Sequence, residues 1–423
     1  MNKIQNLLHS FQTPNAFFNI SYVLMVMMMV LLPFTTFFMW PIGILLMILW
    51  ISEGNWREKW ENFKTNNGIP YGFFLLGICL IPPLGLLNST NMAAAWSTVE
   101  CYLWFFFAPI IFLTASPKIW KKEHFDVLLT LFSVSVIIYM ITLFIHGIYK
   151  TATTGDINYM HNYYFCYNSH HAYTALYLTF VYLLIFNHLL HNQQNMKKKH
   201  VIWLYGVELL LIVGVFCLYS RAGILAFLFL QMIWCFYAIH LNRPHWKSIL
   251  AITVIVFGLI AAMIIAFPTN RFMQEAISMR HKDDSDKPLD PRLIIWQAAW
   301  DASVKNLPWG VGTGDGSEIV MEQYHENGYW MERTCPLNAH NQFLSALLTN
   351  GIPGIILILL YFSVPLALAI KHRDMMLLSL FVLMLLNCLV ECMFERRAGV
   401  DFFAIMIPLF ILKAHVPDNS LTK

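Results

Sequence analysis

Charged residues are scarce in this sequence: Asp, Glu, Lys and Arg make up 12% of the 423 residues, against about 25% in a typical soluble domain. Hydrophobic residues make up 58%, and the mean hydropathy is +0.57. Such a composition excludes a soluble enzyme and a disordered chain. The net charge of +3 is too small to indicate a nucleic-acid partner. The composition predicts an integral membrane protein.

Cysteine motifs are also missing, because the eight cysteines contain no CxxC pair and no Cys/His spacing typical of a metal site. Most of them lie in or beside apolar runs, where a small buried hydrophobic residue is the usual interpretation. Cys166 and Cys335 fall in predicted loops, and whether they form a disulfide stays open. The first apolar run lacks a small-residue cleavage site, so no cleavable signal peptide is expected.

Long apolar runs dominate what is present, and they predict an all-α, polytopic membrane protein of about twelve transmembrane helices. We expect one membrane domain, 1–423, with a long loop at 268–339 between the ninth and tenth predicted spans. A short amphipathic helix is predicted in that loop at 292–306, and Gly351 to Gly354 should break the run 341–370. The predicted spans are 17–34, 36–52, 71–88, 94–114, 125–147, 172–190, 201–219, 222–240, 248–267, 341–370, 375–391 and 400–414.

The distribution of Lys and Arg predicts the orientation. If the N-terminus is inside, sixteen of the 27 basic residues lie on the inner side and four lie in short outer loops. The other seven fall in the long loop, which the positive-inside rule does not count. Both termini are therefore expected in the cytoplasm, and the 268–339 loop on the outer side.

Three arginines are candidates for binding an anion. Arg221 stands in a 40-residue apolar stretch, where a charge usually faces a cavity or a partner, although an interfacial snorkelling arginine is the alternative. Arg271 and Arg292 flank the acidic part of the long loop, and arginine suits phosphate oxygens because its planar fork binds two of them. Arg292 also stands at a predicted helix start, where backbone N–H groups favour anions.

His340 is the candidate general base. It lies in the segment Asn338–Leu344, where Asn338 is predicted to cap the helix that follows. In the first turn of that helix the dipole would disfavour the charged imidazole, so His340 would stay neutral and able to accept a proton. The alternative is a hydrogen-bonded interfacial histidine without a chemical role.

Weaker candidates are interpreted first as structural. Asp284 and Asp286 resemble a divalent-metal pair, but a short solvated acidic loop is favoured, so no metal site is predicted. His161, His170 and His171 lack the spacing of a zinc site. Glu395, Arg396 and Arg397 are expected to form an ion pair, with contact to an anionic substrate as the second interpretation.

Five short segments, in this order, resemble the O-antigen ligase and polymerase superfamily of bacterial envelope enzymes. The likeness covers roughly residues 165–410. The segments are Tyr219–Gly223, Asn270–Phe272, Arg292–Trp296 with Pro308–Gly312, Ala339–Asn341 through Gly354, and Glu395–Arg396 with Gly399.

The resemblance implies a glycosyltransferase in the bacterial inner membrane whose active site faces the periplasm. Such enzymes move a glycan from a polyprenyl (undecaprenyl) pyrophosphate carrier to an acceptor hydroxyl, without a metal or another cofactor. In a ligase the acceptor is lipid A–core oligosaccharide, and in a polymerase it is another lipid-linked glycan. By this resemblance Arg221, Arg271 and Arg292 would bind the pyrophosphate, and His340 would be the base or the residue that orients the acceptor. Arg396 and Asn341 are further candidate substrate contacts.

One departure from the family pattern concerns the base. Many relatives carry an acid two positions after the histidine, whereas this chain has Gln342, so His340 needs an orienting partner elsewhere. Attack by the acceptor hydroxyl opposite the leaving group would invert the anomeric carbon. The competing class is a transporter of lipid-linked sugars, which the large one-sided loop and the lack of matched halves disfavour.

Overall fold

The computed structural model describes residues 14–66, 71–161, 163–166, 170–241, 258, 291–329 and 338–416. Within these ranges the chain is helical and contains no strand, which confirms the predicted all-α class. The helices are α1 Pro14–Leu31, α2 Met39–Glu53, α3 Trp56–Thr65, α4 Phe73–Asn88, α5 Met92–Leu113, α6 Lys122–Thr154, α7 His171–Asn192, α8 Lys198–Cys217, α9 Arg221–His240, α10 Pro291–Lys305, α11 Gly316–Glu326, α12 Gln342–His372, α13 Met375–Cys388 and α14 Arg397–His415.

Seven of these helices are long and apolar enough to cross a membrane, which supports the predicted membrane character. They are α5, α6, α7, α8, α9, α12 and α14. Helices α1, α2, α4 and α13 are also apolar but shorter, and each corresponds to one predicted span. Apart from residue 258, the predicted span 248–267 lies outside the described residues, so the total of twelve stays a prediction.

The most enclosed helices are α7 and α14, and their aromatic side chains join the bundle at its centre. The ring of Phe402 on α14 lies 5.2 Å from that of Tyr177 and 5.3 Å from that of Phe180, both on α7. It also lies 5.9 Å from Phe132 on α6. Aromatic pairs at these distances favour packing beyond the area that they bury, so α6, α7 and α14 form one core.

Helix α3 was not predicted, because its charged sequence falls in the connection between two predicted spans. The helix is held by Lys59, whose ammonium lies 2.9 Å from a Glu53 carboxylate oxygen and 4.7 Å from the centre of the Trp50 ring. Only 6% of Lys59 is exposed. A charged residue is buried here because an opposite charge and an aromatic face compensate for its lost hydration.

Helix α12 is broken at Gly351, as predicted. Gly351 has φ 57° and ψ −142°, which is not helical, and a Cβ there would collide with the carbonyl of Pro308. The backbone N–H of Ile352 donates to that carbonyl at 2.9 Å, and the N–H groups of Val311 and Gly312 donate to Leu348 and Thr349 at 2.9 Å. The glycine is needed because the turn after α10 docks directly onto the break.

Asp315 fastens the same turn to the connection between α4 and α5. Its carboxylate accepts hydrogen bonds from the N–H and hydroxyl of Thr90, at 2.8 and 2.6 Å, and from the N–H of Asn91 at 2.9 Å. Asp315 is 5% exposed. A carboxylate that accepts backbone donors in this way is worth more than a neutral hydrogen bond, so Asp315 ties the α10–α11 pair to the membrane bundle.

We expect Asp315→Ala to lower the free energy of unfolding by about 2–3 kcal/mol, because two backbone donors lose a charged acceptor. The measurement is the midpoint of thermal unfolding in detergent. Glu318→Ala is the matched control, since Glu318 is an exposed acid on the adjoining helix, and it should change stability by less than about 0.5 kcal/mol. Equal midpoints for the two variants would contradict the role given to Asp315.

Candidate active site

The candidate site lies at one end of the bundle, where several helices begin or end. Helices α7, α10 and α12 begin there, at His171, Pro291 and Gln342, and the link between α13 and α14 carries Glu391 to Arg396. The backbone N-termini of three helices therefore share this end with the predicted site residues, a setting that favours anionic ligands.

His340 stands in a tight turn just before α12, with φ 42°. Its backbone N–H donates to Asn338 Oδ1 at 3.2 Å, and its carbonyl accepts from the indole N–H of Trp296 at 3.2 Å. Trp296 belongs to α10, so one hydrogen bond joins that helix to the turn. A non-glycine residue in this conformation is uncommon and is held by its surroundings.

The predicted cap is wrong, because the helix begins later than the sequence suggested. The capping residue is Asn341, whose Oδ1 accepts from the N–H groups of Phe343 and Leu344 at 2.9 and 3.1 Å. Its amide nitrogen donates to the carbonyl of Leu389 at 3.0 Å. Both ends of the Asn341 amide are thus engaged in the fold. His340 precedes the helix, so the dipole argument for its protonation state does not apply.

Glu391 is the orienting partner of His340. The imidazole Nδ1 lies 3.1 Å from Glu391 Oε1, and the side chains of His340 and Glu391 are 34% and 12% exposed. Burial by itself would raise the pKa of Glu391. The hydrogen bond and charge of His340, together with His170 and Arg292, lower it to about 2. An ionised Glu391 favours a proton on Nδ1, which leaves the Nε2 lone pair free to accept a proton.

Positive groups surround this pair. The charge of Arg292, second residue of α10, is among those that lower the pKa of Glu391. Burial lowers the pKa of His170, and Glu391 opposes this while Arg396, His340 and Arg292 lower it further. The structure therefore brings His340 and Arg292 close to the Glu391 carboxylate, and it places Arg396 close to His170.

The three residues of the segment Glu395–Arg397 have different surroundings. Arg397 pairs with Glu100 at 2.6 Å and lies 5.2 Å from the centre of the Trp40 ring, so the predicted ion pair exists with a different acid. Glu395 accepts from the hydroxyl of Ser345 at 2.8 Å and from the amide of Asn338 at 3.2 Å. Arg396 is exposed and forms no ion pair with the described residues.

The other predicted residues are less closely placed. Arg221 is the first residue of α9, directly after the Ser220 cap, and is half-buried at the site's end of the bundle. Arg271, Asp284, Asp286 and Cys335 lie outside the described residues. The buried thiol of Cys166 lies 3.2 Å from the hydroxyl of Thr174. In the described ranges, no three His, Cys, Asp or Glu side chains could hold a metal ion.

Sequence reasoning missed Glu391, which was counted as the last residue of a predicted span. The signal for it in the sequence is an acid directly after Val390, at the end of the apolar stretch that begins at Met375. His170 was interpreted as a surface histidine, but it caps α7 and stacks on His171 with ring centres 4.2 Å apart.

The arrangement can perform acid–base chemistry on a hydroxyl beside an anion. A carboxylate-oriented imidazole accepts a proton, and neighbouring guanidinium groups stabilise negative charge on a leaving group.

Residues 207–359 match the model of the O-antigen ligase family. This part of the chain is similar to O-antigen ligases. A comparison with curated proteins finds no match.

The matched region includes Arg221, Arg292 and His340, and it supports the resemblance stated from the sequence. Glu391 and Arg396 lie beyond the matched residues. The candidate site therefore also includes residues of the link between α13 and α14, which contacts the turn before α12 through the hydrogen bond between Glu391 and His340.

Proposed function

We propose that the chain is a glycosyltransferase that moves a glycan from a polyprenyl (undecaprenyl) pyrophosphate carrier to a hydroxyl of lipid A–core oligosaccharide. The observation that carries this proposal is the hydrogen bond of 3.1 Å between His340 and Glu391, with Arg292 and Arg396 nearby. The match of residues 207–359 to the O-antigen ligase family supports the same class of reaction.

In the proposed reaction, His340 Nε2 takes the proton of the acceptor hydroxyl as its oxygen attacks the anomeric carbon of the donor. The new bond joins that oxygen to the carbon, and the bond from the carbon to the pyrophosphate oxygen breaks. Glu391 stabilises the imidazolium that forms. Arg292, Arg221, Arg271 and Arg396 would bind the pyrophosphate, whose charge grows as it leaves. Attack opposite the leaving group inverts the anomeric carbon.

We further propose that the site faces the periplasm and that the whole chain is one domain of the inner membrane, with both termini in the cytoplasm. The basic clusters support this orientation: Lys121 and Lys122 begin α6, Lys197 to Lys199 begin α8, and Lys413 ends α14. All of them lie at the helix ends opposite the candidate site. By the positive-inside rule those ends are cytoplasmic.

A polymerase that joins two lipid-linked glycans is the second candidate, because the same dyad and arginines would serve a glycan acceptor. The test gives purified protein a lipid-linked glycan and rough lipopolysaccharide, with and without EDTA. Modified lipopolysaccharide is expected if the chain is a ligase, and a longer glycan on the carrier if it is a polymerase.

Because the arginines supply positive charge, EDTA should leave transfer intact. Loss of activity on chelation, restored by magnesium, would contradict a metal-independent reaction. Absence of both products, with protein shown to be folded, would contradict a glycosyltransferase.

A further inference from the structure

Helix α10 has two apolar faces, which is unusual for a helix outside the membrane bundle. One face packs inward, where residues of α10 meet α11 and the first part of α12. The buried residues of that face are Ile294, Ile295, Ala298, Ala299 and Ala302. The opposite face is exposed and carries Leu293, Gln297, Trp300 and Val304. Between Leu293 and Val304 this exposed face contains no charged residue.

Its neighbour α11 packs against α10 but exposes a different chemistry. The exposed residues of α11 include Glu318, Glu322 and Glu326, which recur every four residues. This is the pattern of a helix whose outer face meets water. Two helices of one packed pair therefore present opposite surfaces, an acidic one on α11 and an apolar one on α10.

The apolar surface continues past the end of α10. Leu307 and Trp309 follow in the turn, and the exposed fractions of Leu293, Trp300, Val304, Leu307 and Trp309 are 44–65%. The turn meets α12 at Ile352, whose N–H donates to the Pro308 carbonyl at 2.9 Å. Ile352 opens the apolar stripe of α12 with Ile356 and Leu359, which are equally exposed.

A stripe of this kind on a membrane-spanning helix faces lipid, so the α10 surface is continuous with a lipid-facing one. A contiguous exposed patch of large apolar side chains marks an interaction site rather than a surface left in water. Tryptophan favours the boundary between acyl chains and headgroups, and Trp309 lies where the spanning part of α12 begins.

We propose that α10 is an interfacial helix and that its exposed face is covered by the acyl chains of the leaflet on the site's side of the membrane. The proposal adds to the proposed function, on which its purpose rests: α10 would hold Arg292 at the depth of a lipid headgroup. A pyrophosphate on a membrane-embedded carrier lies at that depth. An interfacial helix of this type binds the membrane through an apolar face that is buried among the acyl chains.

The test measures lipid contact directly, without a donor and without catalysis. Single cysteines are introduced as Val304→Cys on the α10 face, Glu322→Cys on the acidic face of α11, and Ile356→Cys on the lipid-facing stripe of α12. Each is labelled with bimane in full-length protein in bilayer nanodiscs, and the signal of unsubstituted protein is subtracted. Quenching by brominated acyl chains reports lipid, and quenching by aqueous iodide reports water.

We expect brominated lipid to quench the label at 304 several-fold more strongly than the label at 322, and about as strongly as that at 356. Iodide should quench only the label at 322. Iodide quenching at 304 equal to that at 322 would overturn the proposal, because the face would then lie in water. Quenching at 304 by neither agent would also overturn it, because another part of this chain or a second copy would then cover the face.

Failure of this proposal is distinguishable from failure of the proposed function. Lipid contact at 304 without transfer by the unsubstituted protein would contradict only the function. Glycan transfer combined with a water-exposed label at 304 would contradict only the interfacial placement of α10.

Discussion

Replacing His340 with alanine is expected to slow glycan transfer by about 10²–10⁴-fold while donor binding stays nearly unchanged. In the proposed mechanism, the imidazole oriented by Glu391, at 3.1 Å, acts on the acceptor proton only as the new bond forms. In the same mechanism, binding of the pyrophosphate depends on the arginines, whose charge acts both before and during the reaction.

The measurement is single-turnover transfer, alongside binding of a polyprenyl pyrophosphate analogue, on variants shown to be folded in detergent. Arg292→Ala should weaken analogue binding as well as the rate, and Arg292→Lys should rescue it only partly, because a point charge replaces a fork. Near-normal turnover by His340→Ala would remove this histidine from the mechanism.

Glu326→Gln is the matched control for the His340 variant, because Glu326 is another candidate base in the long loop that precedes His340. Glu326 pairs with Lys305 at 2.7 Å, at the opposite end of α10 from Arg292. Lys305 follows Arg292 by thirteen positions along the helix, which corresponds to about 20 Å. The variant should therefore transfer glycan at the normal rate, which would exclude Glu326 as the base.

Glu391→Gln is expected to lower the transfer rate by about 10²-fold or more, because a carboxylate sets the tautomer of a catalytic imidazole. The amide carries no charge to stabilise the imidazolium, and its NH₂ group can donate to Nδ1 and move the proton to Nε2. Glu391→Asp keeps the charge on a shorter side chain, so it should retain more activity.

The double variant His340→Ala with Glu391→Gln separates a catalytic role of Glu391 from a structural one. If both residues act as a unit, the double variant should be no slower than His340→Ala alone. A multiplicative loss would show that Glu391 acts independently of the histidine.

The lowered pKa of Glu391 adds a dependence on pH. Because its folded-state value is about 2, below the usual 4.5, the ionised carboxylate contributes stability that is fully present above about pH 4.5. That contribution is lost as the pH falls toward 2. Thermal unfolding in detergent should show a smaller loss of stability over this interval in Glu391→Gln. Because its pKa is lowered, Glu391 should stay ionised into the acidic range, and we expect it to contribute no acid limb to a rate profile near neutral pH.

Several features followed from the sequence because each depends on residues close together along the chain. Apolar runs longer than a bilayer is thick indicate membrane helices whatever lies beside them. The break at Gly351 is a local backbone property. The candidate roles of His340 and Arg292 came from their residue types at predicted helix starts and from the family resemblance.

Contacts between distant segments were decided only by the tertiary structure. Glu391 reaches His340 across 51 residues, and Asp315 reaches Thr90 across 225. The capping asparagine was misassigned because Asn338 and Asn341 are equivalent in type, and only the packing of Trp296 and Glu395 around the turn selects one. Likewise, no local pattern distinguishes a helix face that packs on protein from one left exposed, as both faces of α10 are apolar. Side-chain chemistry is local, whereas the partner of a side chain depends on which helices the whole chain brings together.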